Sequence, residues 1–120
     1  MDRYFLVCIV AIQAQKIVHE IDAKAMVENI IRCKWSLSVI DLVKRGIDRP
    51  GAMVKSVDGL TTKVLNERLR KLVRFGIFER QEFAEVPPRV EYRLTAFGEK
   101  FAVLLDSIEA LQNDLDANGR

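Results

Sequence analysis

The sequence predicts a mainly α-helical fold with one small β-hairpin, an α+β class. Three observations carry this reading. Apolar residues recur at helical spacing over most of the chain from residue 23 to 75. After Gly76 the pattern changes to alternation with period two, as in "RVEYRLT" at 89–95. A long helical pattern then returns and runs to the end.

At 120 residues, 49% apolar and 30% charged, the chain fits one globular domain with a single core. The expected organisation is an N-terminal extension (1–22), a central domain (23–95), and a C-terminal helix and tail (96–120). Net charge is +2, but it is unevenly placed. Residues 34–93 carry thirteen Lys/Arg against eight Asp/Glu, while residues 94–120 carry two against five. A basic middle is compatible with a polyanionic partner if the cations share a face, and otherwise with an ordinary solvated surface.

The elements follow in order. "YFLVCIVAI" (4–12) is the most apolar run and reads as a buried strand or helix; nine residues fall well short of the ~20 needed to span a bilayer, and "MDR" lacks the positive charge of a signal peptide. Met26, Val27, Ile30 and Ile31 fall on one helical face, and Trp35, Val39, Leu42 and Val43 on another. These are two helices, or one broken near Arg32–Lys34, with Gly46 as a stop. Pro50 suits the first turn of a short helix over 50–57, because its missing N–H would be unpaired there anyway. Asp58–Gly59 makes a tight turn, and Thr61 or Thr62 caps a further helix to about Phe75, ended by Gly76. Helix, Gly-containing turn, helix is the helix-turn-helix arrangement.

In the second of those helices Val64, Leu65, Leu69, Leu72 and Val73 face inward. Thr62, Lys63, Asn66, Glu67, Arg70, Lys71 and Arg74 face outward. A cationic outer face is common on surface helices. The order matters more: Thr61, Thr62 and Lys63 at the helix start, followed by Asn66 and Arg70, place hydrogen-bonding groups where a helix entering the DNA major groove meets base edges. Backbone N–H groups at the same end attract phosphate.

In the alternating run Val90, Tyr92 and Leu94 share one face, and Arg89, Glu91 and Arg93 the other. With "IFERQEFAEV" it forms a hairpin whose tip is stiffened by Pro87–Pro88. The expectation is a wing beside the helix-turn-helix, its stiff tip presenting cations to a nucleic-acid backbone or a narrow minor groove. The Val–Tyr–Leu face serves an ordinary packed hairpin equally well, and the two readings are compatible. In the last helix Thr95 is the cap, and Phe97, Phe101, Leu104, Leu105, Ile108, Leu111 and Leu115 form an apolar stripe that a domain this small has few places to bury; it is expected to meet a second copy, the alternative being that it packs only on the chain's own first helix.

"KWSLSVIDLVKRG", "GLTTKVLNERLRKLVRFGIFER" and "EVPPRVEYRLTAFG", in this order and spacing, resemble the HxlR-type winged helix-turn-helix transcriptional regulators of the MarR-like group, over about residues 24–111. The resemblance implies a homodimer that binds operator DNA and regulates neighbouring genes. It matches the recognition helix to Thr61–Phe75, the wing to about Gln81–Arg93, and most of the dimer contact to about Ala23–Arg32 and Thr95–Leu115. Departures from the pattern are Arg32–Cys33–Lys34–Trp35 in place of Gly-Gly-Lys-Trp, and Arg49–Pro50–Gly51–Ala52–Met53 in place of Arg-Phe-x-Glu-Leu. Asp22 stands where many members have a cysteine, so redox sensing by that cysteine does not transfer.

The expected DNA contacts are Thr61, Thr62, Lys63, Asn66, Arg70, Lys71, Arg74, Arg89 and Arg93, and the expected dimer contacts Phe97, Phe101, Leu104, Leu105, Ile108 and Leu111. Two cysteines, Cys8 and Cys33, and one histidine, His19, do not make a zinc site. Cys8 reads as core, Cys33, between the cations Arg32 and Lys34, as a small buried side chain rather than a reactive thiol, and His19 as a surface helix residue. So few cysteines fit a reducing cytoplasm. No cofactor loop or catalytic constellation is visible, and an enzyme is the weakest reading. A winged helix used for protein–protein contact alone is the main alternative. RNA binding lacks the aromatic stacking surface of common single-strand binders.

Overall fold

The computed structural model describes residues 22–119, so the readings of "YFLVCIVAI", Cys8 and His19 lie outside the described residues. Two compact units divide at Lys34/Trp35. The described part of the first is helix α1, Ala23–Arg32. Its cap is Asp22, whose carboxylate accepts from the Ala25 N–H at 3.3 Å. Where the resembling family often has a cysteine, this chain therefore has a helix cap. Met26 and Ile30 are buried, while Ile31 is exposed. After α1 the chain turns, and Trp35 sits in the left-handed region with φ 76°. Two separate helices result, with Trp35 capping the second rather than lying inside it.

The second unit comprises α2 (Ser36–Lys44), α3 (Pro50–Ser56), α4 (Thr62–Arg74), strands β1 (Phe78–Phe83) and β2 (Arg89–Leu94), and α5 (Ala96–Asn118). Helices α2 and α4 end in the same way. Gly46 and Gly76 take positive φ, +87° and +79°. The following N–H, of Ile47 or Ile77, reaches back to the carbonyl of Leu42 or Leu72 at 2.9 Å in each case. Left-handed glycine followed by an apolar residue is the Schellman stop; it satisfies carbonyls that the helix end would orphan. Between α3 and α4, Gly59 at φ +87° lets the chain turn beside the Trp35 ring.

The core is built from Val39, Ile40 and Leu42 of α2, Met53 of α3, Leu60, Leu65, Leu69 and Leu72 around α4, and Ile77 and Phe78 beyond it, all nearly or wholly buried. β1 and β2 pair antiparallel, from Phe78 opposite Leu94 to Phe83 opposite Arg89. Their inner face holds Phe78 and Tyr92, ring centroids 6.3 Å apart and tilted by 54°. The hairpin is tied to the loop before α3 by the Tyr92 N–H, which donates to the Asp48 carbonyl at 2.9 Å. Residues 84–88 form its tip, with a cis Val86–Pro87 bond.

Thr95 starts α5. Its hydroxyl accepts from the Gly98 N–H at 2.9 Å and donates to the Gly76 carbonyl, while its own N–H donates to the Ile77 carbonyl at 3.0 Å. The long helix is thereby anchored to the end of α4. No helix among the described residues is long and apolar enough to cross a membrane.

Candidate nucleic-acid interface

Helix α4 is positioned by its apolar side. Leu65, Leu69 and Leu72 are fully buried, which leaves the opposite face outward. The Thr61 hydroxyl accepts from the Val64 N–H at 3.2 Å, so Thr61 is the cap and Thr62 opens the helix. Thr61, Thr62, Lys63, Asn66, Arg70 and Arg74 are exposed. Lys71 is half-buried. Arg70 is steadied by its own helix, its Nε donating to the Asn66 carbonyl at 3.3 Å. At thirteen residues α4 is about 20 Å long, and it suits a major groove about 12 Å wide.

The wing flanks this face. Asn66, Arg70 and Val73 of α4 and Arg80 and Tyr92 of the hairpin line a cleft of about 620 Å³. Arg80 is a residue the sequence reading missed. The alternation in "FERQEF" marks it as one face of a strand, but only the pairing of Arg80 opposite Tyr92 turns it toward α4. Its guanidinium pairs with Glu82, and that hydrogen bond holds its pKa above the ordinary arginine value.

The tip differs from the expectation that it presents cations. Residues 84–88 carry none; Val86 stands fully exposed there. Arg89 is folded back, 4.0 Å over the Phe83 ring, 3.3 Å from Glu85 and 3.4 Å from Glu91. The cause is local. Register places Arg89 directly opposite Phe83, and two carboxylates lie within its reach. Arg93 remains exposed on the same strand, 4.0 Å from Glu91. Arg49, at the cap of α3, joins this group at 3.7 Å from Glu91 and was not singled out from the sequence as a site residue. A second cleft of about 710 Å³ lies between this edge of α3 and the wing tip, bordered by Arg49, Lys55, Val86, Pro87 and Arg89.

Along α5 the expected dimer residues divide. Phe101 is 5% exposed and belongs to the buried interior of the chain. Phe97, Leu104, Ile108, Leu111 and Leu115 are exposed, and Leu105 is half-buried. The exposed five follow one another at intervals of seven, four, three and four, which is one helical stripe. Midway along this helix, Asp106 pairs with Lys44 of α2, which holds the ammonium above its ordinary value of 10.5.

A short helix, a glycine turn, an outward polar helix and a flanking hairpin define the winged helix-turn-helix class. Within that class the chain belongs to the HxlR-like helix-turn-helix family, whose model matches residues 30–118. It is 38% identical over 88 residues to an uncharacterized HTH-type transcriptional regulator of Synechocystis sp., a match covering 73% of this chain and 65% of that protein. A second such regulator, from Methanothermobacter thermautotrophicus, is 35% identical over 80 residues, covering 67% and 61%. The chain thus spans a little under two thirds of the length of these relatives. A solved structure described as a MarR-family transcriptional regulator from Enterococcus faecalis superposes with a TM-score of 0.72 at 32% identity, covering 82% of this chain and 93% of that one.

Proposed function

We propose that the chain is a cytoplasmic, sequence-specific double-stranded DNA-binding transcriptional regulator that acts as a homodimer. The observation that carries this is the outward face of α4 beside the wing. Asn66 and Arg70 are exposed in the middle of a helix whose other side is locked into the core, next to a cleft whose far wall carries Arg80. Thr61, Thr62, Lys63, Asn66 and Arg70 read base edges and the first phosphates, and Lys71 and Arg74 follow the backbone toward the end of the helix. Arg89 and Arg93 supply the wing's contacts to the backbone or the minor groove. The relatives' names as HTH-type transcriptional regulators point to the same activity.

The organisation that goes with this reading is a DNA-binding domain over 23–95 and a dimerisation helix and tail over 96–120, with 1–22 as an extension. The exposed stripe of Phe97, Leu104, Ile108, Leu111 and Leu115, joined by Leu105, meets its copy across a two-fold axis. Two recognition helices then face half-sites about one DNA turn apart, or a multiple of it, so the operator is a palindrome. Selection of bound duplexes from a random pool by the purified chain tests the reading. Enrichment of an inverted repeat is the expected result. A pool that stays random after repeated rounds would mean that the fold serves protein contact instead.

A further inference from the structure

Phe78 opens β1 facing the core, and the period of a strand puts Arg80 on the same side two residues further on. Register sets Arg80 opposite Tyr92, which is buried. Arg80 therefore stands on the inner side of the hairpin, where the core ends and the cleft toward α4 begins. Across that cleft are Asn66 and Arg70. Among the described residues, its lining carries two guanidinium groups and no carboxylate. Like charges that share an opening repel, and an anion placed between them removes that cost. Both arginines are already steadied. The Arg70 Nε donates to the Asn66 carbonyl at 3.3 Å, and Arg80 pairs with Glu82 on its own strand. That pair is open to water, its side chains 46% and 64% exposed, so loosening it costs little. A guanidinium has five N–H donors, more than these bonds use, and its fork matches two oxygens of a phosphate.

We propose that Arg80 is a DNA-binding residue that holds a backbone phosphate at the mouth of the cleft between α4 and the hairpin, beside the base pairs that α4 reads. The inference rests on the DNA-binding reading above and adds to it a contact that fixes where α4 sits. Asn66 and Arg70 meet base edges from one wall, and Arg80 holds the sugar–phosphate chain from the other. A phosphate contact carries no sequence information by itself, but it sets the register and orientation of the reading helix. The wing thereby grips DNA near its base as well as through Arg89 and Arg93.

The duplex selected by the unmodified chain, prepared as a series in which each member carries one uncharged methylphosphonate linkage, tests the proposal. Affinities are measured for the unmodified chain and for Arg80→Gln combined with Glu82→Gln. The paired change keeps the net charge and leaves no unpartnered carboxylate beside the cleft, so a loss reports a contact and not the overall field. The variant is expected to bind the unsubstituted duplex about 3–10-fold more weakly, with a salt slope shallower by up to about one per bound chain. In the series, one linkage per half-site is expected to cost the unmodified chain a similar factor and the variant less than about twofold. A series in which every linkage costs both proteins the same overturns the proposal, as does a variant that binds the unsubstituted duplex as tightly as the unmodified chain. Should the paired variant fail to fold by circular dichroism, Arg80→Gln alone takes its place, with the same outcomes. An unmodified chain that selects no duplex defeats the functional reading itself; a chain that selects one, with a series the variant leaves unaltered, defeats this contact alone.

Discussion

The first turn of α5 passes so near the end of α4 that a Cβ on Gly98 would stand 2.0 Å from the Ile77 carbonyl oxygen. The obstacle is backbone, already fixed by the Thr95 N–H, so it cannot swing aside. Gly98→Ala is expected to cost about 2–3 kcal/mol or more, the range of an overpacked site. A urea titration checks this as a lowered midpoint with an unchanged slope. Ser36 makes the opposite case: it is fully buried, and its hydroxyl finds no partner among the described residues. Ser36→Ala is expected to stabilise the fold by about 1 kcal/mol, the cost of an unpaired buried hydroxyl. At the interface, Asn66→Ala or Arg70→Ala is expected to lose about 1–3 kcal/mol on the selected duplex and much less on a scrambled one, if each side chain reads a base. Equal losses in one buffer would contradict base reading. The Thr95 cap was legible because a hydroxyl before an apolar helical run is a local signal. The Gly98 approach was not, since Ile77 lies twenty-one residues away and only packing brings it there.

At the level of elements, α2 and α4 announce their ends in sequence: "RGI" and "FGI" both place glycine where left-handed backbone is needed and an apolar residue after it. The hairpin was legible from alternation and paired prolines. The fate of its arginines was not, because cross-strand register decides that Arg89 lies over Phe83, and tertiary packing brings Arg49 to Glu91. Periodicity also grouped Phe101 with the stripe of α5, although it turns inward. Phe101 and Leu104 are adjacent on the helix wheel, and spacing cannot say where a stripe passes from core to surface. Helix α5 is further held by Lys44–Asp106. With the folded Lys44 pKa raised, this contribution is complete at neutral pH and is lost as pH rises above 10.5 through the folded value. Both partners are partly exposed, so Lys44→Met is expected to cost at most about 0.5–1 kcal/mol, and nothing once the ammonium has titrated. Urea midpoints on either side of that pH check the sign.

For the whole molecule, the uneven charge and the long apolar stripe belong to one arrangement. The basic stretch, residues 34–93, carries α4 and the wing, while the acidic stretch that follows carries α5. In the proposed dimer the acidic excess lies on α5 and the basic excess on the stretch that holds α4 and the wing. Leu104→Glu with Ile108→Glu is expected to give a folded monomer whose operator binding falls steeply, because each chain must then hold a single half-site. The most direct measurement of the central claim is the mass, by light scattering or sedimentation, of the unmodified chain alone and on its selected duplex. Two chains in solution and two chains on one duplex, with the half-sites of an inverted repeat both required, is the predicted result. A monomer at working concentration that binds one half-site as tightly as the full repeat would contradict it.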